Sequence, residues 1–155
     1  MTILRGGSRI GYANANRNTT TLAITTSVFT AVPYLTEHAD TDDIWEPTTN
    51  PTRFLTPAWC TYARVGFQSY WEGNTTGRRF VYPYLNGAAM ASGRAQGRRD
   101  MPDATWETIS CWGAPVAVAT PGTDYYEIVV WQNSGANRNL AGAINWGSLI
   151  VSGSN

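Results

Sequence analysis

The chain has 155 residues, which suits one domain able to bury a core without disulfide or metal support. Eleven arginines balance eleven acidic residues, and lysine is absent, so the sequence lacks the basic field that attracts nucleic acid or anionic membranes. No stretch approaches the roughly 20 apolar residues of a membrane helix. We therefore expect a soluble domain without a nucleic-acid or membrane partner.

Residues 1–25 are predicted to form an extended N-terminal arm, followed by one domain over residues 26–155. Residues 1–20 are rich in Gly, Asn, Arg and Thr and show no sustained helical or strand period, whereas alternation from Thr21 to Tyr34 predicts a first strand or two. We expect contacts with a neighbouring chain to order the arm. The candidate contact residues in the arm are Ile3, Leu4, Arg5, Arg9, Ile10, Tyr12 and Arg17.

An acidic, proline-punctuated loop is predicted over residues 37–47. Asp40, Asp42 and Asp43 in this loop are candidate ligands for calcium, which prefers carboxylate oxygens. Their spacing lacks the rest of a known calcium-loop signature, so a solvated turn is the alternative. We expect no cofactor, and these three residues are the metal candidates.

The segment from Ala58 to Trp71 predicts a long strand with one core face, because apolar residues including Val65 and Phe67 recur at every second position. A turn at residues 73–77 leads into a returning strand that ends at an Asn86-Gly87 turn, which is a strong hairpin signal. Pro83 predicts that this returning strand lies at an edge or a bulge.

The segment from Gly122 to Gly135 predicts a strand with two apolar faces. One face carries Tyr126, Ile128 and Val130, and the other carries Tyr125, Val129 and Trp131. Such a strand lies deep in a sandwich or against a neighbouring subunit.

Strand patterns separated by turn signals continue through residues 106–118 and 143–151, and no segment keeps a helical period. The pattern predicts an all-β, single-domain jelly-roll sandwich. His38 is the single histidine, so a histidine-based zinc site or catalytic triad has little to be built from. We predict no catalytic residues. Cys60 and Cys111 could pair, but two buried thiols are favoured, and whether the two cysteines pair stays open.

Three segments together resemble one family. They are Ala58–Trp71, the hairpin Asn74-Thr-Thr-Gly77-Arg78-Arg79 with Leu85-Asn86-Gly87, and the strand Gly122–Gly135 with its Gln132-Asn133-Ser134-Gly135 turn. They are similar to the complement-globular-head and tumour-necrosis-factor-like jelly roll, as carried by virion proteins of tailed bacteriophages. The resemblance covers about residues 45–151. It departs from the family pattern at Thr123, which separates the usually adjacent Gly122 and Asp124.

The resemblance implies a non-enzymatic jelly roll that trimerises through aromatic residues of its inner sheet. It leads to the hypothesis of a capsid decoration protein, made in the host bacterial cytoplasm and located on the capsid surface of the virion. A homotrimer would bind the major capsid protein through the arm. The alternative is a tail- or head-fibre tip that recognises host-surface glycan, with Tyr12, Trp45 and Tyr70 as the stacking residues.

Two assignments of the trimer contact remain open, because a period of two does not say which face is which. The first puts Tyr126, Ile128 and Val130 in the trimer core together with Val65 and Phe67. The second puts these five residues inside the sandwich of one subunit. In the second assignment the threefold axis is faced by Tyr125, Val129 and Trp131.

Overall fold

The computed structural model describes residues 7–90, 97–100, 105–142 and 145–154, with the backbone alone over 97–100. The described residues form fourteen strands and no helix, so none of them belongs to a helix that could cross a membrane. The strands build two antiparallel sheets. This confirms the prediction of an all-β jelly-roll sandwich.

The larger sheet, called sheet A, has eight strands. They are β1 (Ser8–Asn16), β2 (Leu22–Ile24), β4 (Thr36–Asp40), β6 (Cys60–Trp71), β10 (Glu107–Trp112), β11 (Val116–Ala117), β13 (Arg138–Leu140) and β14 (Trp146–Ser154). The order is β2-β13-β6-β14-β1-β4, and β10 and β11 also pair with β6. Strand β14 therefore lies between β6 and β1 in the middle of the sheet.

The smaller sheet, called sheet B, has six strands. They are β3 (Thr30–Ala31), β5 (Arg53–Leu55), β7 (Arg78–Leu85), β8 (Ala88–Ala89), β9 (Gly97–Asp100) and β12 (Tyr125–Gln132). The order is β3-β12-β7-β8, with β5 paired to β12 and β9 paired to β7. Strand β12, predicted from its two apolar faces, is thus an interior strand of sheet B.

The core fills the space between the two sheets, where alternate residues of each strand meet. Sheet A contributes Phe67 and Leu149, and sheet B contributes Tyr126, Ile128 and Val130; each is at most 2% exposed. All five belong to one cluster of buried side chains. The long β6 strand has a single core face, as its sequence predicts.

The prediction of an N-terminal arm over residues 1–25 is wrong from Ser8 onward. Each residue of β1 is paired with a residue of β14, and β1 also pairs with β4 on its other side. The strand has a weak sequence signal because Gly11, Ala13 and Ala15 occupy its buried positions, and glycine and alanine are poor strand formers. A Cβ on Gly11 would overlap the Asp42 carboxylate and lie 3.1 Å from Trp59, so a larger residue there would require these side chains to shift.

Pro83 does not mark an edge strand or a bulge, because β7 lies between β12 on one side and β8 and β9 on the other. On the second side, β9 pairs with residues 78–81 and β8 with residues 84–85. The Met90 N–H donates to the Pro83 carbonyl at 3.1 Å, next to the β8 pairing, and proline has no N–H to return that bond.

Asn86 and Gly87 form the predicted tight turn after β7. Their φ values are 51° and 78°, which are both in the left-handed region that this hairpin turn requires. Cys60 and Cys111 are both free thiols, and Cys60 is buried as expected, whereas Cys111 is only partly buried. Cys111 pairs with Phe67, seven residues along β6 from Cys60, so the two sulfur atoms cannot reach each other.

Candidate functional site

Most of the large apolar side chains that the sandwich leaves exposed lie on the outward side of sheet A. Nine large hydrophobic residues among those described are 41–70% exposed. Five of the nine share this surface, which we call the sheet A face: Ile10, Tyr12, Tyr62, Trp106 and Trp112. A clustered apolar surface of this kind is typical of a protein–protein contact.

The antiparallel register aligns the side chains of the sheet A face in rows. Tyr12 of β1 lies opposite Ile150 of β14, and Ile150 lies opposite Arg64 of β6. Arg64 is the one charged side chain at the outward positions of β1, β6, β10 and β14. Burying this face against another protein would therefore desolvate little charge.

Trp112 lies flat on the sheet at the centre of this face. It pairs with Gly66 of β6, and a Cβ on Gly66 would come within 2.4 Å of its ring. The Arg64 guanidinium lies 5.3 Å from the Trp112 ring and its Nε donates a 2.7 Å hydrogen bond to the Gly113 carbonyl. The ring centre of Trp146 is 5.7 Å from that of Trp112. Gly66 thus creates the space in which this tryptophan is held.

A second aromatic pair extends the face towards the start of β10. Tyr70 and Trp106 stack with their ring centres 5.2 Å apart and their planes 27° apart. Sequence reasoning separated the two faces of β6 but did not select this one as a contact surface. Two features of the sequence indicate this contact surface: the alternating residues Tyr62, Arg64 and Tyr70 on the outward side of β6, and the tryptophans next to and within β10.

The outward side of sheet B carries a different arrangement, which we call the sheet B cluster: Phe29, Phe80, Tyr82 and Trp131. Phe80 stacks on Tyr82 at 5.6 Å and meets Trp131 edge-on at 5.4 Å. Phe29 lies 5.9 Å from Tyr82 and 6.1 Å from Trp131. Each ring of this cluster therefore packs against other rings of the same chain.

The first assignment of the trimer contact is wrong. Tyr126, Ile128 and Val130 are buried between the two sheets of a single chain, together with Val65 and Phe67. The structure thus supports the part of the second assignment that places these five residues inside the sandwich of one subunit. Tyr125, Val129 and Trp131, which the second assignment places at the threefold axis, lie on the opposite side of β12. Arg53 covers the Tyr125 ring at 4.1 Å, and Val129 is only 4% exposed. Trp131 packs in the sheet B cluster.

Among the predicted arm contacts, Ile10 and Tyr12 lie on the sheet A face, whereas Ile3, Leu4 and Arg5 fall outside the described residues.

Arg17 is not available for a contact, which corrects its assignment as an arm residue. It is 4% exposed, and its guanidinium donates to the carbonyl oxygens of Pro33, Thr20 and Thr21. Burial lowers the pKa of Arg17, although the nearby Tyr34 acts in the opposite direction. Arg9 is also engaged, because it pairs with Asp42 and lies 4.4 Å over the Trp59 ring.

The three aspartates proposed as calcium ligands do not converge. The Asp40 carboxylate accepts hydrogen bonds from the backbone N–H groups of Asp42, Ile44 and Trp45, at 2.7–3.1 Å. Asp42 is paired with Arg9, and Asp43 projects into solvent. The described part of the chain contains no group of three or more His, Cys, Asp or Glu residues suited to a metal ion. The calcium assignment is therefore wrong, and Asp40 organises the loop instead.

Trp45 cannot stack on a glycan, because it is 3% exposed and its indole N–H donates to the Pro51 carbonyl at 3.1 Å. Its assignment as a glycan-binding residue is wrong. Tyr12 and Tyr70, the other two candidates, both belong to the sheet A face, where Tyr70 is already stacked on Trp106.

The residues that carried the family resemblance hold the hairpins together. Gln132 is fully buried; its amide donates to the carbonyls of Ile24 and Ala136, and its oxygen accepts from the N–H and hydroxyl of Ser134. The Asn133 side chain accepts a 2.6 Å hydrogen bond from the Arg78 N–H. These motif residues therefore specify the fold rather than a chemical site.

No family model and no curated protein matches the sequence. Solved structures do resemble the fold. The globular domain of zebrafish complement 1qA has a TM-score of 0.62 and 11% identity, with 94% of this chain and 96% of that chain covered. Murine APRIL at pH 8.5 has a TM-score of 0.60 and 7% identity, with 92% and 99% covered. Eiger TNF from S. frugiperda has a TM-score of 0.57 and 12% identity, with 92% and 93% covered.

These likenesses show the fold: the chain is a jelly roll of the kind found in tumour-necrosis-factor-like and complement globular-head domains.

Proposed function

We propose that the chain is a non-enzymatic structural protein that assembles as a homotrimer through the sheet A face. The observation that carries this proposal is the exposure of Tyr62, Trp106 and Trp112 on and beside β1, β6, β10 and β14, whose outward positions carry a single charged side chain. Closed trimers of jelly rolls cover such faces and produce a rigid particle. A second copy of the same chain is the partner whose surface is complementary by symmetry.

Within this assembly, we propose a role as a capsid decoration protein on the outer surface of a bacteriophage virion, bound to the major capsid protein. The motif resemblance to virion jelly rolls supports this role. Val28 and Phe29 are 46% and 56% exposed and lie away from the sheet A face, so they remain on the outside of the proposed trimer. We assign the capsid contact to them. Binding of many copies would stabilise the shell by linkage.

The fibre-tip alternative is not favoured, because Trp45 is buried and Tyr12 and Tyr70 would be covered in a trimer formed through the sheet A face.

The test combines light scattering on the purified chain with co-sedimentation on empty expanded capsids. We expect a mass three times the 17.0 kDa of one chain, and saturable binding to the capsids. Phe29→Arg should keep the trimer mass and lose capsid binding. A monomer that does not bind capsids would contradict both parts of the proposal, whereas a trimer that ignores capsids but adsorbs to host cells would restore the fibre-tip alternative.

A further inference from the structure

A cavity of about 280 Å³ opens on the outward side of sheet B, where β12 begins. Its wall and floor include Asp43, Ile44, Asn50, Arg53, Leu55 and Tyr125. Tyr125 and Trp131 are six residues apart on β12, which separates the cavity from the sheet B cluster by about 20 Å. The cavity is therefore distinct from both aromatic surfaces described above.

Backbone hydrogen bonds hold the cavity open in a fixed shape. The Asp40 carboxylate gathers three N–H groups of the loop that forms one wall. The Leu55 N–H donates to the Ile44 carbonyl at 2.6 Å, and the Asn50 N–H donates to the Glu46 carbonyl at 3.3 Å. A ligand would thus meet a preformed site and would not have to order the loop.

The floor of the cavity is apolar. Ile44 is 1% exposed, whereas Leu55 is 43% exposed and presents its side chain to the opening. Arg53 lies 4.1 Å from the centre of the Tyr125 ring, with its Nε 3.6 Å from the Glu127 carboxylate. This fixes the arginine at the side of the cavity and leaves Leu55 as the exposed apolar platform.

The rim offers hydrogen-bonding groups that the protein itself does not use. Among the described residues, neither the Asp43 carboxylate nor the Asn50 carboxamide has a hydrogen-bond partner. Asp43 supplies acceptors, Arg53 supplies donors, and Asn50 supplies both. An anionic ligand would be repelled by Asp43 and Glu46. The Glu46 carboxylate already accepts hydrogen bonds from Thr48 and Thr49, so the rim offers one carboxylate, one carboxamide and the Arg53 guanidinium, a mixed set of donors and acceptors that suits a neutral, hydroxyl-bearing ligand.

We propose that this cavity binds one neutral, hydroxyl-rich sugar residue. Its C–H face would pack on Leu55, and its hydroxyl groups would bond to Asp43, Asn50 and Arg53. The proposal is independent of the trimer, because every residue that it uses belongs to one chain.

The test is an NMR titration of ¹⁵N-labelled protein with neutral hexoses and N-acetylhexosamines, each as the free sugar and as the methyl glycoside. Butylammonium and glucuronate serve as the cationic and anionic controls. We expect shifts confined to the amides of the cavity and a Kd of about 1–10 mM, in the range available to a ligand of this size. Asp43→Ala and Asn50→Ala should each weaken binding about tenfold, as loss of a ligand hydrogen bond does. Asn137→Ala, an exposed asparagine beyond the far end of β12, is the matched control and should bind normally.

Binding of the methyl glycosides would identify the ligand as a unit of a glycan chain, and binding restricted to free reducing sugars would identify a free sugar. The proposal is overturned if no saccharide shifts the cavity amides, if butylammonium or glucuronate binds as tightly as the sugars, or if Asp43→Ala and Asn50→Ala bind like the parent protein.

Discussion

The outward faces of the two sheets are both rich in aromatic residues, yet they differ in how their rings are used. In the sheet B cluster, Phe80, Tyr82 and Trp131 pack against one another, with Phe29 at their margin. On the sheet A face, Trp112 pairs with Trp146 and Tyr70 stacks on Trp106, but Tyr12 and Tyr62 have no ring contact among the described residues and are 46% and 50% exposed. The number of aromatic residues therefore does not identify an interface; what matters is how many rings the chain leaves exposed and without a ring partner.

The largest expected effect comes from the core that supports both faces. Phe67 is fully buried on the inner side of β6, so Phe67→Ala should lower the free energy of unfolding by about 3–5 kcal/mol, through lost burial and a cavity. Equilibrium denaturation measures the loss. Thr108→Ala, at an exposed position of β10, is the control and should lie within about 0.5 kcal/mol of the parent. A cost for Phe67→Ala as small as that of the control would contradict its place in the core.

Gln132→Ala tests the connection between the sheets. The buried Gln132 amide joins β12 of sheet B to the Ile24 carbonyl of β2 in sheet A and also caps the following turn. Its removal leaves the buried Ile24 carbonyl and the partly buried Ser134 N–H without this partner, and we expect a loss of about 2–3 kcal/mol in chemical denaturation. Asn137→Ala, at an exposed position in the same turn, should leave the free energy of unfolding nearly unchanged. An equal loss from both substitutions would show that the turn, rather than the buried amide, matters.

Trp131→Arg tests whether the sheet B cluster or the sheet A face forms the subunit contact. The substitution removes ring contacts with Phe29 and Phe80, for which we expect a cost of about 1–2 kcal/mol, while the chain remains folded and keeps its oligomeric mass. Thermal unfolding and light scattering on the same sample provide both readouts. A folded monomer would mean that the sheet B cluster, and not the sheet A face, forms the subunit contact.

The smallest expected effect is a loss of folding stability in acid, caused by Asp124 at one end of sheet B. Burial alone would raise the pKa of Asp124, but hydrogen bonds from Asn86, Thr120 and Ala119 lower it overall. Because the unfolded chain then binds the proton more readily, the contribution of Asp124 to stability is present above about pH 4 and is lost as the pH falls below that value. Asp124→Asn should flatten the acid limb of stability against pH, as measured by chemical denaturation at a series of pH values. Identical acid limbs for Asp124→Asn and the parent would contradict the assignment.

The sequence predicted the elements whose alternation or turn chemistry is strong. Strand β6 and the Asn86-Gly87 hairpin follow from period two and from residues that tolerate positive φ. Strand β1 was not predicted because its buried positions carry Gly11, Ala13 and Ala15, which are poor strand formers and give no alternation of large apolar residues.

The candidate sites were harder to predict. Alternation showed that β12 has two apolar faces, but the place of β12 in sheet B depends on long-range pairing that a local pattern does not encode. The role of Asp40 was not predicted for a different reason: its partners are backbone N–H groups of its own loop, and clustered aspartates give the same sequence signal for a metal site and for a turn held by side-chain hydrogen bonds.

The central claim, self-association through the sheet A face, is tested most directly by the masses of two matched variants in sedimentation equilibrium. Trp112→Arg and Phe29→Arg each place a charge at an exposed aromatic position, one on each face. We predict a folded monomer for Trp112→Arg and a trimer for Phe29→Arg, with circular dichroism to verify folding. Tyr62→Arg provides a second disruption of the same face at a position that is 50% exposed. Trimers for both Trp112→Arg and Tyr62→Arg, or a monomer for Phe29→Arg, would contradict the account.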